Sequence, residues 1–173
     1  MSLSFLSSWA TPESVWRQKA ATLKGHQTAG RKDNGAMARG RRPEPVAIAE
    51  YEALMGWKVP AACGAREEYD CLRVSLFVFN PAHSLFVEVK APNRADHAGA
   101  LEGRVPEKYI PQIMHQYLVS GAKQAHYLSY SNYFPVGQRL AVVNVKRDEE
   151  MISELFRAEK IFWDRVLSGK MPS

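Results

Sequence analysis

Two short runs of alternating polarity joined by a turn constrain this chain more than anything else in it. Residues 71–79 read CLRVSLFVF, with Leu72, Val74, Leu76 and Val78 at every second position. Asn80-Pro81-Ala82-His83 is turn chemistry, and residues 84–90 read SLFVEVK. Alternation at period two is the pattern of a strand with one buried face, so this segment predicts an antiparallel hairpin. A lone hairpin is barely stable in water and needs further strands or a helix over its apolar face. The rest of the chain has to supply that cover.

Thr11-Pro12 is a helix start, and Val15, Trp16, Lys19 and Leu23 continue a helical spacing to Gly25. Residues 24–36 (KGHQTAGRKDNGA) lack apolar periodicity and predict a basic loop. A second helix is predicted from about residue 43 through Val46, Ile48, Ala49, Tyr51, Leu54 and Met55, closed by Gly56. Trp57-Lys58-Val59 reads as a short strand, and Pro106 to Ser120 returns to helical spacing. Gln124–Tyr130 and Leu140–Val145 read as strands, and Asp148 caps a last helix through Ile152, Leu155, Phe156, Glu159, Phe162, Trp163 and Val166. The order α-α-β-β-β-α-β-β-α predicts a central mixed sheet flanked by helices, an α/β or α+β fold. Residues 1–173 are the length of one domain, with a helical part at 1–56 and a core-like part at 57–173.

Charge is unevenly placed along that order. Residues 1–45 hold eight Lys/Arg against Glu13, Asp33 and Glu44, which accounts for the whole net charge of +5. Downstream the two signs balance. A basic segment containing Arg31, Lys32, Arg41 and Arg42 points to a polyanion such as nucleic acid, or to a solvated face with no partner. No uncharged apolar stretch approaches the roughly 20 residues of a spanning helix, and MSLSFLSSW lacks the order of a secretion signal, so a cytoplasmic protein without a membrane is expected. Cys63 and Cys71 have neither CxxC spacing nor nearby histidine pairs, which argues against a structural zinc or a disulfide framework.

Three features carry chemistry. Glu88 and Lys90 lie two apart on the second hairpin strand and so share a face, with Val87 and Val89 on the other. A carboxylate there holds a divalent cation while the ammonium neutralises a phosphate oxygen or polarises a water; the alternative is an ion pair on a solvated face. Tyr109, Gln112, Ile113, Gln116 and Tyr117 form one helical stripe, placing two amides on an otherwise apolar face. They are either satisfied core amides or groups pointing into a wet site. Glu44 begins the second helix beside Arg41 and Arg42, where it serves the helix dipole or a site.

Taken together, AMARGRRPEPVAIAEYEALMGW, LRVSL, FNP, LFVEVKAPN, VPEKYIPQIMHQYLVSGAKQAHYLSY, VKRDEE and the late FW resemble the phage-type lambda-exonuclease (YqaJ-like viral recombinase) family of PD-(D/E)XK nucleases. The resemblance covers about residues 11–166. It implies a restriction-endonuclease-like core and a Mg²⁺-dependent (or Mn²⁺-dependent) 5′-to-3′ exonuclease acting on double-stranded DNA ends. It further implies a homo-trimer and a single-strand-annealing protein as partner. By the same resemblance Glu88 and the main-chain carbonyl of Val89 are metal ligands, and Lys90 is the catalytic lysine. Gln112, with Tyr109 before it, orders that lysine and the attacking water. Glu44 lies near the metals, and Ser75 holds a terminal 5′-phosphate.

One departure bears directly on activity. The family places an aspartate in a Ser-x-Asp-Gly run at the end of the first hairpin strand; here the run is Ser75-Leu76-Phe77-Val78. Phe77 offers no lone pair, and Asp70 is seven residues earlier, too far along an extended strand for a simple substitution. The arginine that grips the 5′-phosphate in the family also has no clear counterpart ahead of residue 11. Three readings stand: a metal-dependent exonuclease impaired at Phe77, a catalytically inactive DNA-end-binding protein of the same fold, and a basic protein-interaction adaptor.

Overall fold

A computed structural model describes residues 11–23, 44–65 and 73–171, with the backbone alone at 62–65 and 73–77. The basic loop 24–36, with Arg31 and Lys32, lies outside the described residues, as do Arg41, Arg42, Asp70, Cys71 and Leu72. The elements are α1 (Pro12–Leu23), α2 (Glu44–Met55), β1 (Ala61–Ala65), β2 (Arg73–Asn80), β3 (Leu85–Lys90) and α3 (Arg94–Leu101). After them come a single 3-10 turn (Glu107–Tyr109), α4 (Ile110–Ser120), β4 (Gln124–Tyr130), β5 (Leu140–Val145) and α5 (Glu149–Leu167).

The helix ends follow local chemistry. The Thr11 hydroxyl accepts from the Ser14 amide at 3.2 Å, Asn93 Oδ1 from the Asp96 amide at 2.9 Å, and Asp148 Oδ1 from the Met151 amide at 2.9 Å. Gly121 closes α4 at φ 64, a backbone region that disfavours a Cβ.

Five strands form one sheet in the order β1-β2-β3-β4-β5. Every neighbouring pair is antiparallel except β3 and β4, which run parallel in the register Glu88↔Tyr127 and Lys90↔Ser129. Parallel strands need a long crossover, and residues 91–123 provide it with α3 and α4. One face of the sheet (Phe86, Ala125, Tyr127, Val143, Val145) packs against Ile113, Met114 and Tyr117 of α4 and Ile152 and Leu155 of α5. The other (Val78, Leu85, Val87, Leu128) packs against Tyr51 of α2 and Val59. No helix among the described residues is long and apolar enough to cross a membrane.

Three expectations change. Trp57–Val59 is not a strand: the Val59 amide donates to Glu52 Oε1 at 2.9 Å, and Trp57 packs edge-on against Tyr51, so the segment is tied back to α2. The outer strand is Ala61–Ala65 instead, registered on β2 through Ala61↔Val78 and Ala65↔Arg73. Helix α3 was not anticipated, and the helix expected from Pro106 opens with the 3-10 turn before becoming regular at Ile110.

Candidate active site

The end of β3 carries a buried charge. Glu88 is only 6% exposed, and an ionised carboxylate at such a depth demands partners. Three residues provide them. Gln112 Nε2 donates to Glu88 Oε1 at 2.7 Å, and Gln116 Nε2 donates to Oε2 at 2.5 Å. The Lys90 ammonium forms an ion pair with Oε1, its side chain a quarter exposed. Period two along β3 sets Glu88 and Lys90 on the face that α4 covers, and one turn of α4 separates the two amides, so each reaches its own carboxylate oxygen.

Around this cluster the surroundings are aromatic and basic. The Tyr109 ring stacks on Tyr127, the residue in register with Glu88, at 5.8 Å between centroids. Two ammonium groups lie over the same Tyr109 ring, Lys90 at 5.4 Å and Lys108 at 5.0 Å. The hydrogen bond from Lys108 to Asp96 Oδ2, 2.6 Å long, holds Lys108 protonated above the ordinary lysine range. Burial pushes the Tyr127 phenol up, so that hydroxyl stays neutral. The arrangement offers the partly exposed ammonium groups of Lys90 and Lys108 to an anion, with Lys90 held by a carboxylate that the two amides fix in place.

Of the residues singled out in the sequence, the fold brings together Glu88, Lys90, Gln112 and Tyr109, with Val89 between the first two. Glu44 is half-buried in the first turn of α2, the helix on the opposite face of the sheet. Ser75 and Phe77 lie in β2; Phe77 pairs with Ala62 on one side. On the other, the β2–β3 ladder ends at Val78↔Val87, one residue short of both Phe77 and Glu88. Gln116 and Tyr127 were missed as site residues. Gln116 was visible as a second amide on an apolar helical stripe; Tyr127 gave no signal until the parallel register placed it beside Glu88.

The divalent ion implied by the resemblance does not fit the donors seen here. No group of three or more His, Cys, Asp or Glu side chains converges among the described residues. Both oxygens of Glu88 already accept from nitrogen donors, and one carboxylate with the Val89 carbonyl falls short of the oxygen-rich shell that Mg²⁺ requires.

A mixed sheet whose third strand ends in Glu-x-Lys, clamped by a helix that bears Gln112 and starts just after Tyr109, defines the PD-(D/E)XK-like fold class. Within it, the chain belongs to the YqaJ-like viral recombinase domain family, whose model matches residues 2–123. The chain is similar to a Bacillus subtilis (strain 168) protein described as uncharacterized protein YqaJ, 26% identical over 174 residues, covering 97% of this chain and 52% of that one. It thus spans about half the length of that curated relative. Among solved structures it is similar to an alkaline exonuclease (LHK-Exo) from Laribacter hongkongensis, with TM-score 0.77, 22% identity, and 95% of this chain and 84% of that chain covered. A phage-related exonuclease from Haemophilus somnus 129PT matches with TM-score 0.61 and 18% identity, covering 91% of this chain and 82% of that one. The fold is that of these exonucleases.

Proposed function

We propose that this chain handles the ends of double-stranded DNA in phage-type recombination, as a member of an exonuclease lineage whose own metal-dependent 5′-to-3′ hydrolysis is impaired by Phe77. The observation that carries the reading is the Glu88 cluster: a buried carboxylate held by two amides and an ammonium, with Lys108 and Tyr109 beside it. In this reading Lys90 meets a phosphate oxygen, Gln112 keeps Glu88 and Lys90 in place, and Ser75 binds a terminal 5′-phosphate. Arg31, Lys32, Arg41 and Arg42 supply phosphate contacts that carry no sequence preference. The assembly is a homo-trimer acting with a single-strand-annealing protein, in the cytoplasm of a bacterial or phage-infected cell. Resemblance alone ties Glu44 to this site; its helix packs on the opposite face of the sheet from Glu88.

Mg²⁺ or Mn²⁺ is the ion such a lineage uses, and Phe77 stands where its aspartate ligand is expected. That position favours a second reading, an end-binding protein that does not cleave. Digestion of a 5′-phosphorylated linear duplex in Mg²⁺ or Mn²⁺ tests both. The unmodified chain should leave the duplex intact, Phe77→Asp should digest it, and Lys90→Ala on that background should abolish digestion. Robust digestion by the unmodified chain, still dependent on Glu88, would overturn the impairment. Neutralising Arg31, Lys32, Arg41 and Arg42 together should weaken binding to all sequences alike and flatten its salt dependence; unchanged affinity would remove those residues from the interface.

A further inference from the structure

The loop that follows β4 is rigid, aromatic and set at the same end of the sheet as Glu88 and Lys90. Because β3 and β4 are parallel with Lys90 opposite Ser129, the chain leaves β4 at Tyr130, one residue beyond the level of Lys90. Residues 131–139 (SNYFPVGQR) then turn back into β5. Exposed apolar groups are ordinarily scattered, yet this loop holds out two: Tyr133 is 78% exposed and Val136 83% exposed.

They are not held out by a slack loop. Ser131 and Arg139 close it with a backbone hydrogen bond of 2.9 Å, and the Gln138 amide donates to the Pro135 carbonyl at 2.9 Å. Gly137 supplies the φ of 92 that this inner turn requires. Arg139 Nε donates to the Phe134 carbonyl at 3.2 Å. Fully buried His97 of α3 reaches across: the Gln138 carbonyl only accepts, so Nε2 carries a proton and donates to it at 2.8 Å, while Nδ1 meets Ser129 Oγ at 2.7 Å. The His97 ring also packs on Phe134 at 4.5 Å, and the exposed Arg94 guanidinium lies over the same Phe134 ring at 5.8 Å. From Arg94 the same helix leads through Asp96 to Lys108 and the Tyr109 ring beside Lys90. Helix α3 thus links the loop to the candidate site, with Arg94 and Arg139 beside Phe134 and, toward the site, Lys108 paired with Asp96 and Lys90 with Glu88.

We propose that the 131–139 loop is a stacking platform for an unpaired base at the end of a DNA strand, with Tyr133 as the stacking ring and Val136 as the apolar edge that supports the base. The inference rests on the reading that the chain handles DNA ends and adds where the terminal base goes. A pre-ordered aromatic ring loses little freedom on binding, and every base has a π face, so such a platform serves ends of any sequence. The flanking cations match the phosphates on either side of the base; an apolar protein partner would gain nothing from them.

The test uses the full chain, a duplex with a short single-stranded end carrying 2-aminopurine, and a closed dumbbell duplex without ends. The unmodified chain should bind both at low salt, favour the open end by about tenfold, and quench 2-aminopurine. Tyr133→Phe should keep the preference and the quenching. Tyr133→Ala should lose both while its dumbbell affinity stays unchanged, which also shows that it folds. Retention of preference and quenching by Tyr133→Ala overturns the platform and leaves the DNA reading intact. A fall in oligomer mass without a change in end preference assigns the loop to contacts between copies of the chain and likewise overturns it. Failure of the unmodified chain to bind either duplex overturns the DNA reading, and the platform falls with it.

Discussion

Each face of the sheet buries a polar cluster, and the two are built in opposite ways. Under α4, Glu88 receives one ammonium and two amides from two separate elements, and the cluster reaches solvent through Lys90. Under α2, buried Tyr51 and half-buried His126 share one hydrogen bond of 2.6 Å, with Trp57 packed edge-on against the Tyr51 ring. Burial keeps both of those groups neutral, the phenol pushed up to about 12 and the imidazole below its ordinary range. A neutral pair needs one bond to be at rest inside a core, and it ends there. A carboxylate needs several donors, and placing an ammonium among them at a solvent edge makes a group able to receive an anion. Buried polarity by itself does not mark a site; charge that is held by several partners and still open on one side does.

The contrast can be broken by mutation. Glu88→Ala leaves a partly buried ammonium and two amides without their acceptor and should cost about 3 kcal/mol in urea unfolding. Gln116→Leu leaves Glu88 Oε2 without its donor and should cost about 1.5 kcal/mol. Part of that loss is offset because the buried Gln116 Oε1 has no partner among the described residues. Tyr51→Phe removes a single neutral bond and should cost about 1 kcal/mol. A Tyr51→Phe loss as large as that of Glu88→Ala would erase the distinction between the two faces.

Titration sharpens the same contrast with a smaller effect. Since burial lowers the folded-state pKa of His126, the unfolded chain takes up its proton first, at about pH 6.5. The contribution is therefore full above that pH and is lost as pH falls below it. For Tyr51 the folded-state pKa is raised, so stability is full below about pH 10 and is lost between there and about 12. Urea midpoints measured across pH should show both limbs, with the acid limb reduced in His126→Gln and the alkaline limb reduced in Tyr51→Phe. Tyr117, pushed up to about 12 by its own burial, and Tyr127 and Tyr130, likewise raised by burial, keep the remainder of the alkaline limb.

Legibility in the sequence followed how much of each element's cause is local. Leu140–Val145 alternates in burial, Gln124–Tyr130 is an apolar and aromatic run buried on both faces at its end, and Asp148 announces α5 with its own side chain. Ala61–Ala65 has no such signature: AACGA carries no pattern, and its strand state comes from pairing with β2. Trp57-Lys58-Val59 alternates over three residues, too few to carry a period, and the Glu52 side chain decides its path. Helix α3 buries only His97 and Ala100, so its stripe is faint; Asn93 three residues before Asp96 was the readable cap. In the candidate site, the Glu88–Lys90 spacing and the Gln112–Gln116 stripe were local and visible. Meeting of these two elements, and the arrival of Tyr127 beside them, depends on the parallel register that no short window contains.

The amides that clamp Glu88 also join two elements that would otherwise open separately. Should α4 lift from the sheet, a carboxylate at its closed depth loses both amide donors at once, so the end of β3 must loosen with it. Amide hydrogens of Ile110–Ser120 and of Leu85–Lys90 would then exchange with solvent as a single cooperative unit, sharing one opening free energy. Severing the clamp at Gln112 and Gln116 would let the helix exchange on its own while the strand stayed protected.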